Sequence, residues 1–225
     1  NASYQVSFPL TDDELQSKKV RPIQDYIAEQ EDSINKINDM HGPSSVAYPK
    51  TFKKFNQHPG KILNLRPPEC CGLPVMLFHS VFSKFLHNFH NESLDIPAEL
   101  YREVLEFSQI AGKSIVTGNG AMLDGAMFTN VRNFAENAIT LVMEDKNEIG
   151  AGGNDPSIQG ACAYAKYWAQ NWVKNICENS CCPSFILAIA GPWICILGAV
   201  YLEKPVIEPL TDFLLLIDRP GDDGK

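Results

Sequence analysis

Two carboxylates that could share one metal ion, and a lysine beside them, stand near the ends of two predicted strands. Glu144 and Lys146 follow the apolar run at residues 141–143, and Asp124 stands twenty residues before Glu144. Alternate side chains of a strand share a face, so Glu144 and Lys146 should project together while Asp145 points the other way. Two carboxylates and an amine suit Mg²⁺- or Mn²⁺-assisted hydrolysis of a phosphodiester, because carboxylates hold the cation and the amine orients water.

The elements that must position these residues alternate along the chain. Apolar residues at helical spacing predict helices at residues 76–89, 97–111 and 156–176, with Asp155 near the start of the last. Short apolar runs bounded by glycine, proline or polar residues predict strands at residues 114–117, 126–130, 138–144, 185–190, 193–202 and 213–217. This alternation predicts an α/β fold, a mixed sheet flanked by helices.

One apolar stretch raises the question of a membrane span. Residues 184–202 form a run of nineteen residues without a charged side chain, which is long enough to cross a bilayer. Gly191-Pro192 divides the run into two short halves rich in aliphatic and aromatic residues. Two buried strands are therefore predicted instead of a membrane helix, and no contact with a membrane is expected.

The N-terminal third differs in amino-acid composition and pattern from the rest of the chain. Residues 22–40 have the apolar spacing of a helix, and residues 43–74 are rich in proline and glycine and are predicted to be mostly loop. We therefore predict an N-terminal helical extension at residues 1–75 and a second domain at residues 76–225. The extension is a candidate surface for a protein partner.

Charge limits how the chain could bind nucleic acid. Its formal net charge is −8 over 225 residues, which argues against wrapping of nucleic acid along the whole surface. Residues 46–66 nevertheless contain five basic and no acidic residues, with aromatic residues between them. Lys50, Lys53 and Lys54 are therefore candidate contacts to nucleic acid, and a solvated surface is the alternative explanation.

The seven cysteines are more informative about the cellular compartment of the protein than about a metal site. An odd count, with no leading hydrophobic segment, favours reduced thiols in an intracellular protein of the cytoplasm or nucleus. Cys177 and Cys181 could form half of a zinc site, but no second half at a familiar spacing accompanies them. His79, His87 and His90 lie in a stretch dominated by core-type aromatic residues.

The order of these features resembles the PD-(D/E)XK nuclease superfamily. The matching residues are Asp124 for the strand aspartate, Glu144 and Lys146 for the Glu-x-Lys pair, and Gln159 for the glutamine of the following helix. The resemblance implies a restriction-endonuclease-like fold and catalytic roles for these four residues. It also implies that Asp124, Glu144 and an acid on the preceding helix hold Mg²⁺ or Mn²⁺.

The match departs from the superfamily pattern at one position and leaves a choice of residue at another. Leu123 stands where a proline normally precedes the strand aspartate. The preceding helix offers two acids, Glu103 and Glu106, and Glu103 suits the usual spacing better.

Within the superfamily, residues 95–217 are most similar to the nuclease-type domains of fungal and oomycete Crinkler-like proteins, which often carry a kinase-like domain further on. DNA or RNA is the implied substrate.

Two other functions fit the same residues. The first is a catalytically inactive nuclease-like domain that binds nucleic acid or protein, or that regulates a kinase-like domain; Mg²⁺-dependent cleavage would distinguish it from an enzyme. The second is a protein-interaction module that uses the N-terminal helices and the helix at residues 76–89. An exposed apolar helix face would be its signature.

Overall fold

The computed structural model describes residues 23–57, 61–65, 70–91, 115–116, 122–148 and 151–215. The helices are α1 (Ile23–Asn38), α2 (Pro43–Val46), α3 (Pro49–Phe55), α4 (Ser80–Phe89), α5 (Pro156–Trp168) and α6 (Lys174–Asn179). The strands are β1 (Ile115–Val116), β2 (Met122–Leu123), β3 (Gly125–Asn130), β4 (Asn137–Lys146), β5 (Ser184–Ala190), β6 (Trp193–Tyr201), β7 (Pro205–Pro209) and β8 (Leu214–Leu215). The helix predicted at residues 97–111, with Glu103 and Glu106, lies outside the described residues.

The described strands form one large sheet and a separate pair, β1 and β2. The large sheet has six strands in the order β3-β4-β5-β6-β7, and β8 pairs with β6. Strands β4 and β5 are parallel, whereas the other pairs of this sheet are antiparallel. Parallel neighbours need a crossover connection, and α5 supplies it. The predicted mixed sheet flanked by helices is confirmed.

The strand that carries the Glu-x-Lys pair is internal and longer than predicted. It pairs with β3 on one side and β5 on the other, and it extends through Lys146. Its pairing register with β3 shifts between Met127 and Phe128, which face Leu141 and Ile139. Such a shift locally reverses which side chains point to each face of the strand. The buried face of β4 therefore includes both Ile139 and Val142.

Helix α5 packs closely against the centre of the sheet. Every residue from Ile158 to Trp168 is buried, because the sheet covers one side and α1 and α2 contact the helix as well. A Cβ atom at Gly160 would lie 2.6 Å from Cγ2 of Ile186 and 3.5 Å from Cγ of Glu144. Glycine at this position therefore permits the short separation between the helix and the strands β4 and β5.

The prediction of one helix over residues 156–176 is wrong at its C-terminal half. Helix α5 ends at Trp168, and Gln170 has extended backbone angles of φ −79° and ψ 141°. The side-chain amide of Gln170 donates a hydrogen bond to the carbonyl of Lys166 at 2.7 Å. This bond satisfies a carbonyl of the last turn, and the chain continues through a 3₁₀ turn, Asn171–Val173, into α6.

The opposite face of the sheet is covered in part by α4. Phe82 and Phe85 of this helix contact the ring of Phe185 on β5, each at a centroid distance of 5.4 Å. The helix predicted at residues 76–89 begins only at Ser80, after a 3₁₀ turn at Val75–Leu77. The imidazole Nδ1 of His79 accepts a hydrogen bond from the amide of Val81 at 3.2 Å and so caps the start of α4.

Residues 43–57, which were predicted to be mostly loop, are largely helical. They contain α2 and α3, and each begins with a proline, whose fixed φ and missing N–H suit the first turn of a helix. Ile37 and Phe52 are buried in the same core as Tyr164 of α5. The domain division at residue 75 stays a prediction, although core packing continues across it.

Strand β7 was not predicted, because prolines stand at both of its ends. Pro205 and Pro209 are compatible with a strand that pairs with β6 on one side only, where a missing N–H costs little. On the other side of β7, Leu63 donates to the carbonyl of Pro205 at 2.9 Å and accepts from the amide of Ile207 at 3.1 Å. The N-terminal segment thus partly covers this edge of the sheet.

Substitution of Gly160 tests the close packing of α5. Gly160→Ala should lower the free energy of unfolding by about 1–3 kcal/mol, because the new methyl group overlaps Ile186. Urea denaturation measures this change. Gly42→Ala is the control, since no atom lies within 4 Å of the added carbon, and it should lower stability less than Gly160→Ala does. Equal stability of the two variants would contradict the observed packing.

Candidate active site

Asp124 and Glu144 are brought together by the pairing of β3 with β4. Gly125, the first residue of β3, faces Met143, so Asp124 lies beside the end of β4. The Oδ2 atom of Asp124 accepts a hydrogen bond from the backbone amide of Asp145 at 2.8 Å. This bond holds the carboxylate of Asp124 next to the strand position that carries Glu144.

Glu144 points into the protein towards α5. Its side chain is 0% exposed, and its Oε2 atom accepts a hydrogen bond from Nε2 of Gln159 at 2.5 Å. Its Oε1 atom is buried without a hydrogen-bond partner among the described residues. Asp145 is exposed, as predicted from strand alternation. The structure therefore places Gln159 against one oxygen of the buried Glu144 carboxyl group, with Asp124 within side-chain hydrogen-bond reach of the same group.

Burial and a neighbouring negative charge change the acidity of Glu144. Removal from water, and then the charge of Asp124, raise the pKa of Glu144 to about 9 from its ordinary value of 4.5, and the positive charge of Lys146 opposes this rise. Without a bound cation, Glu144 therefore keeps its proton at neutral pH. Asp124 and Lys146 are therefore both close enough for their charges to affect the ionisation of Glu144.

The turn between β5 and β6 holds the end of β4 on the side opposite Asp124. The amide of Gly191, between β5 and β6, donates a hydrogen bond to the carbonyl of Lys146 at 2.7 Å. Gly191 has a φ of +59°, and a Cβ atom there would lie 2.8 Å from the carbonyl oxygen of Asn147. Gly191-Pro192 was predicted to break the chain between two strands, but the contact with Lys146 could not be predicted because it links residues far apart in the chain.

The donor set fits a magnesium or manganese ion. Mg²⁺ is bound by one or two carboxylates while it keeps several waters, and Mn²⁺ also suits carboxylate and water ligands. Asp124 and Glu144, whose carboxyl groups lie next to each other, would supply the carboxylate ligands. Within the described residues, no group of three or more His, Cys, Asp or Glu side chains is arranged to hold a metal. Glu103, the predicted third acid, lies outside them.

The predicted nucleic-acid contacts lie on α3. Lys50, Lys53 and Lys54 are all exposed, and the spacing of three and four residues puts them on one side of the helix. Within the part of the chain that the structure describes, none of the three forms an ion pair. Their positive charge is therefore available to an anionic ligand.

Comparison of the chain with protein-family models, with curated proteins and with solved structures gives no match. Among the residues described, no helix is both long enough and apolar enough to pass through a bilayer. The apolar residues 184–202 are instead the paired strands β5 and β6 and the start of the following turn.

The raised pKa of Glu144 predicts a pH dependence of stability. Between about pH 4.5 and 9 the folded protein retains a proton on Glu144 that the unfolded chain releases, so the contribution of Glu144 to stability falls as pH rises. Glu144→Gln removes this titration. Urea denaturation in EDTA from pH 5 to 9 should show the variant gaining stability relative to wild type as pH increases.

Glu148→Gln is the control for this series, because Glu148 is an exposed acid just beyond the end of β4. Its stability should follow the wild-type trend with pH. A constant difference between wild type and Glu144→Gln over the whole range would contradict the protonation of buried Glu144.

Proposed function

We propose that the chain is a metal-dependent nuclease with a restriction-endonuclease-like fold, related to the PD-(D/E)XK superfamily and to the nuclease-type domains of Crinkler-like proteins. The observation that carries this proposal is the buried Glu144 carboxyl group beside Asp124, with Lys146 on the same strand. Burial of one carboxyl group next to another lowers the stability of the folded protein. A cation between the two would offset their repulsion.

The order of the elements supports the same proposal. An aspartate precedes β3, the Glu-x-Lys pair ends the antiparallel neighbour β4, and α5 then brings Gln159 back to Glu144. This is the order that the superfamily resemblance implies for the strand aspartate, the Glu-x-Lys pair and the helical glutamine. The parallel strand β5 completes the arrangement around the site.

Each residue has a distinct role in the proposed reaction. Asp124, Glu144 and Glu103 would hold Mg²⁺ or Mn²⁺, which would polarise the phosphate and stabilise the charge that develops on it. Lys146 would orient the water that attacks phosphorus and would offset negative charge in the transition state. Gln159 would fix the orientation of the carboxyl group of Glu144 through its hydrogen bond.

Nucleic acid is the proposed substrate class, and the basic residues of α3 support it. Lys50, Lys53 and Lys54 would contact the phosphate backbone, which rewards clustered positive charge even on a protein of net charge −8. These contacts carry no information on base sequence, so they position the strand rather than select it.

Alanine substitutions at the site test the proposed activity. Asp124→Ala, Glu144→Ala and Lys146→Ala should each reduce cleavage by on the order of 10²-fold or more, because each removes electrostatic stabilisation of the transition state. The assay uses labelled single- and double-stranded DNA and RNA with Mg²⁺, Mn²⁺ or EDTA. Activity should require one of the two cations.

Asp145→Ala is the matched control on the same strand. The side chain of Asp145 is exposed, and its backbone amide would still donate to Asp124. Cleavage at the wild-type rate by Glu144→Ala, or loss of cleavage in Asp145→Ala alone, would show that the site is assigned wrongly. If the wild-type chain binds nucleic acid but never cleaves it, the enzyme proposal is refuted and an inactive nuclease-like binding domain takes its place.

A further inference from the structure

Two cysteine sulfurs lie in contact where α6 leads into β5. The thiol of Cys182 donates a hydrogen bond to Sγ of Cys177, with 3.6 Å between the two sulfur atoms. Both cysteines are in the thiol form. A disulfide has about 2.05 Å between its sulfurs, so a further approach of roughly 1.6 Å would join them. The pair is therefore close to the geometry of a disulfide bond.

The backbone of Cys182 has an unusual conformation that holds its thiol at this contact. Its φ is +51°, in the left-handed region that residues other than glycine rarely adopt. The hydroxyl of Ser180 accepts a hydrogen bond from the amide of Cys182 at 3.0 Å, and the hydroxyl of Tyr164 donates one to its carbonyl at 2.8 Å. The surroundings thus support a strained residue whose side chain meets a second thiol, and strain of this kind is found mainly at functional sites.

The two thiols differ in their access to solvent. Cys182 is buried in the same core as Tyr164. Cys177 is half-buried and lines a cavity of about 440 Å³ between α1 and the end of α5. The hydrogen bond to Cys177, and then burial, raise the pKa of the Cys182 thiol, so Cys182 keeps its proton at neutral pH. A reagent in solution therefore meets Cys177 first.

Cys181 is adjacent to Cys182 in sequence but lies in different surroundings. Its thiol donates a hydrogen bond to the carbonyl of Phe78 at 3.8 Å, and it packs on the smaller apolar cluster that contains Phe82 of α4. Cys182 instead packs in the core that contains α5. The fold therefore selects Cys182, and not its neighbour, as the partner of Cys177.

We propose that Cys177 and Cys182 form a site of reversible oxidation by a small disulfide, such as glutathione disulfide. The thiolate of Cys177 attacks one sulfur of the reagent, the S–S bond of the reagent breaks, and the first glutathione leaves and takes up a proton. Cys182 then attacks the sulfur of Cys177, and the second glutathione leaves with the proton of Cys182. Two protein thiols are oxidised to one disulfide, and the reagent is reduced to two thiols.

The new bond would tie α6 to the residues that begin β5. These segments form the later part of the crossover between β4 and β5, and α5 forms its first part. The thiol of Cys177 also donates to the carbonyl of Trp168, the last residue of α5, at 3.4 Å. Oxidation would therefore exchange weak thiol hydrogen bonds at the end of α5 for a covalent link. The couple requires no nuclease activity of the chain.

Mass spectrometry of the full chain after incubation with glutathione disulfide tests the site. Wild type should form a bond between Cys177 and Cys182 that dithiothreitol reverses. Cleavage after Glu178 separates Cys177 from the other two cysteines, so a linked pair of peptides identifies the bond. Cys181→Ser is the matched control and should form the same bond as wild type.

Single variants test the order of attack. Cys182→Ser should retain one glutathione on Cys177, because the second thiol is missing. Cys177→Ser should be modified at Cys182 on the order of 10-fold more slowly, because Cys182 is buried and protonated. Thermal melting checks that both variants fold. Brief treatment of wild type with iodoacetamide should label Cys177 before Cys182 and tests the same order without a substitution.

The proposal has clear points of failure. A bond from Cys177 to Cys181, glutathione on the exposed Cys71 alone, or labelling of Cys182 before Cys177 would overturn it. Hydrogen exchange of the amides of residues 174–182 should slow when wild type is oxidised and should not respond to oxidation in Cys177→Ser. Equal exchange in oxidised and reduced wild type would refute the linkage of α6 to β5.

Discussion

The close contact between α5 and the parallel strands β4 and β5 is the constraint on which the site depends. Because residue 160 has no side chain, the helix lies near enough for Gln159 to reach Glu144. The same contact excludes water from Glu144 and so raises its pKa. The packing of the core and the raised pKa of Glu144 are therefore consequences of one interaction, and a change in the helix position would alter both.

The other contacts of the site hold the end of β4 from two sides. Asp124 binds the amide of Asp145 from the direction of β3, and Gly191 binds the carbonyl of Lys146 from the turn after β5. These hydrogen bonds use backbone groups of β4 and do not involve the side chains of Glu144 and Lys146. A site built on an internal strand is also more rigid than one built on loops.

The N-terminal helices contribute to the core and to the surroundings of the site. Ile37 and Phe52 are buried with residues of α5, and Leu63 adds hydrogen bonds at the edge strand β7. Tyr48 places the basic helix α3 against the loop that precedes α5. Residues that were predicted to form an extension thus pack against the loop that leads into α5.

Local pattern determined much of the fold and the candidate residues. Apolar runs predicted β3 to β6 and the helical spacing predicted α1 and the start of α5, because burial of alternate or every third and fourth residue is a local property of the sequence. Strand alternation likewise placed Glu144 and Lys146 on one face and exposed Asp145. The site residues could be selected from these signals together with their resemblance to a nuclease pattern.

Tertiary contacts decided the rest. The end of α5 at Trp168, the proline-bounded strand β7 and the short helices α2 and α3 depend on partners far away in the chain or on single side-chain bonds. The burial of Glu144, its bond to Gln159 and its pKa exist only once α5 packs on the sheet. Sequence alone identified which residues could act, whereas the packed structure decided their distances and protonation, because desolvation and hydrogen bonding arise only between elements that meet in space.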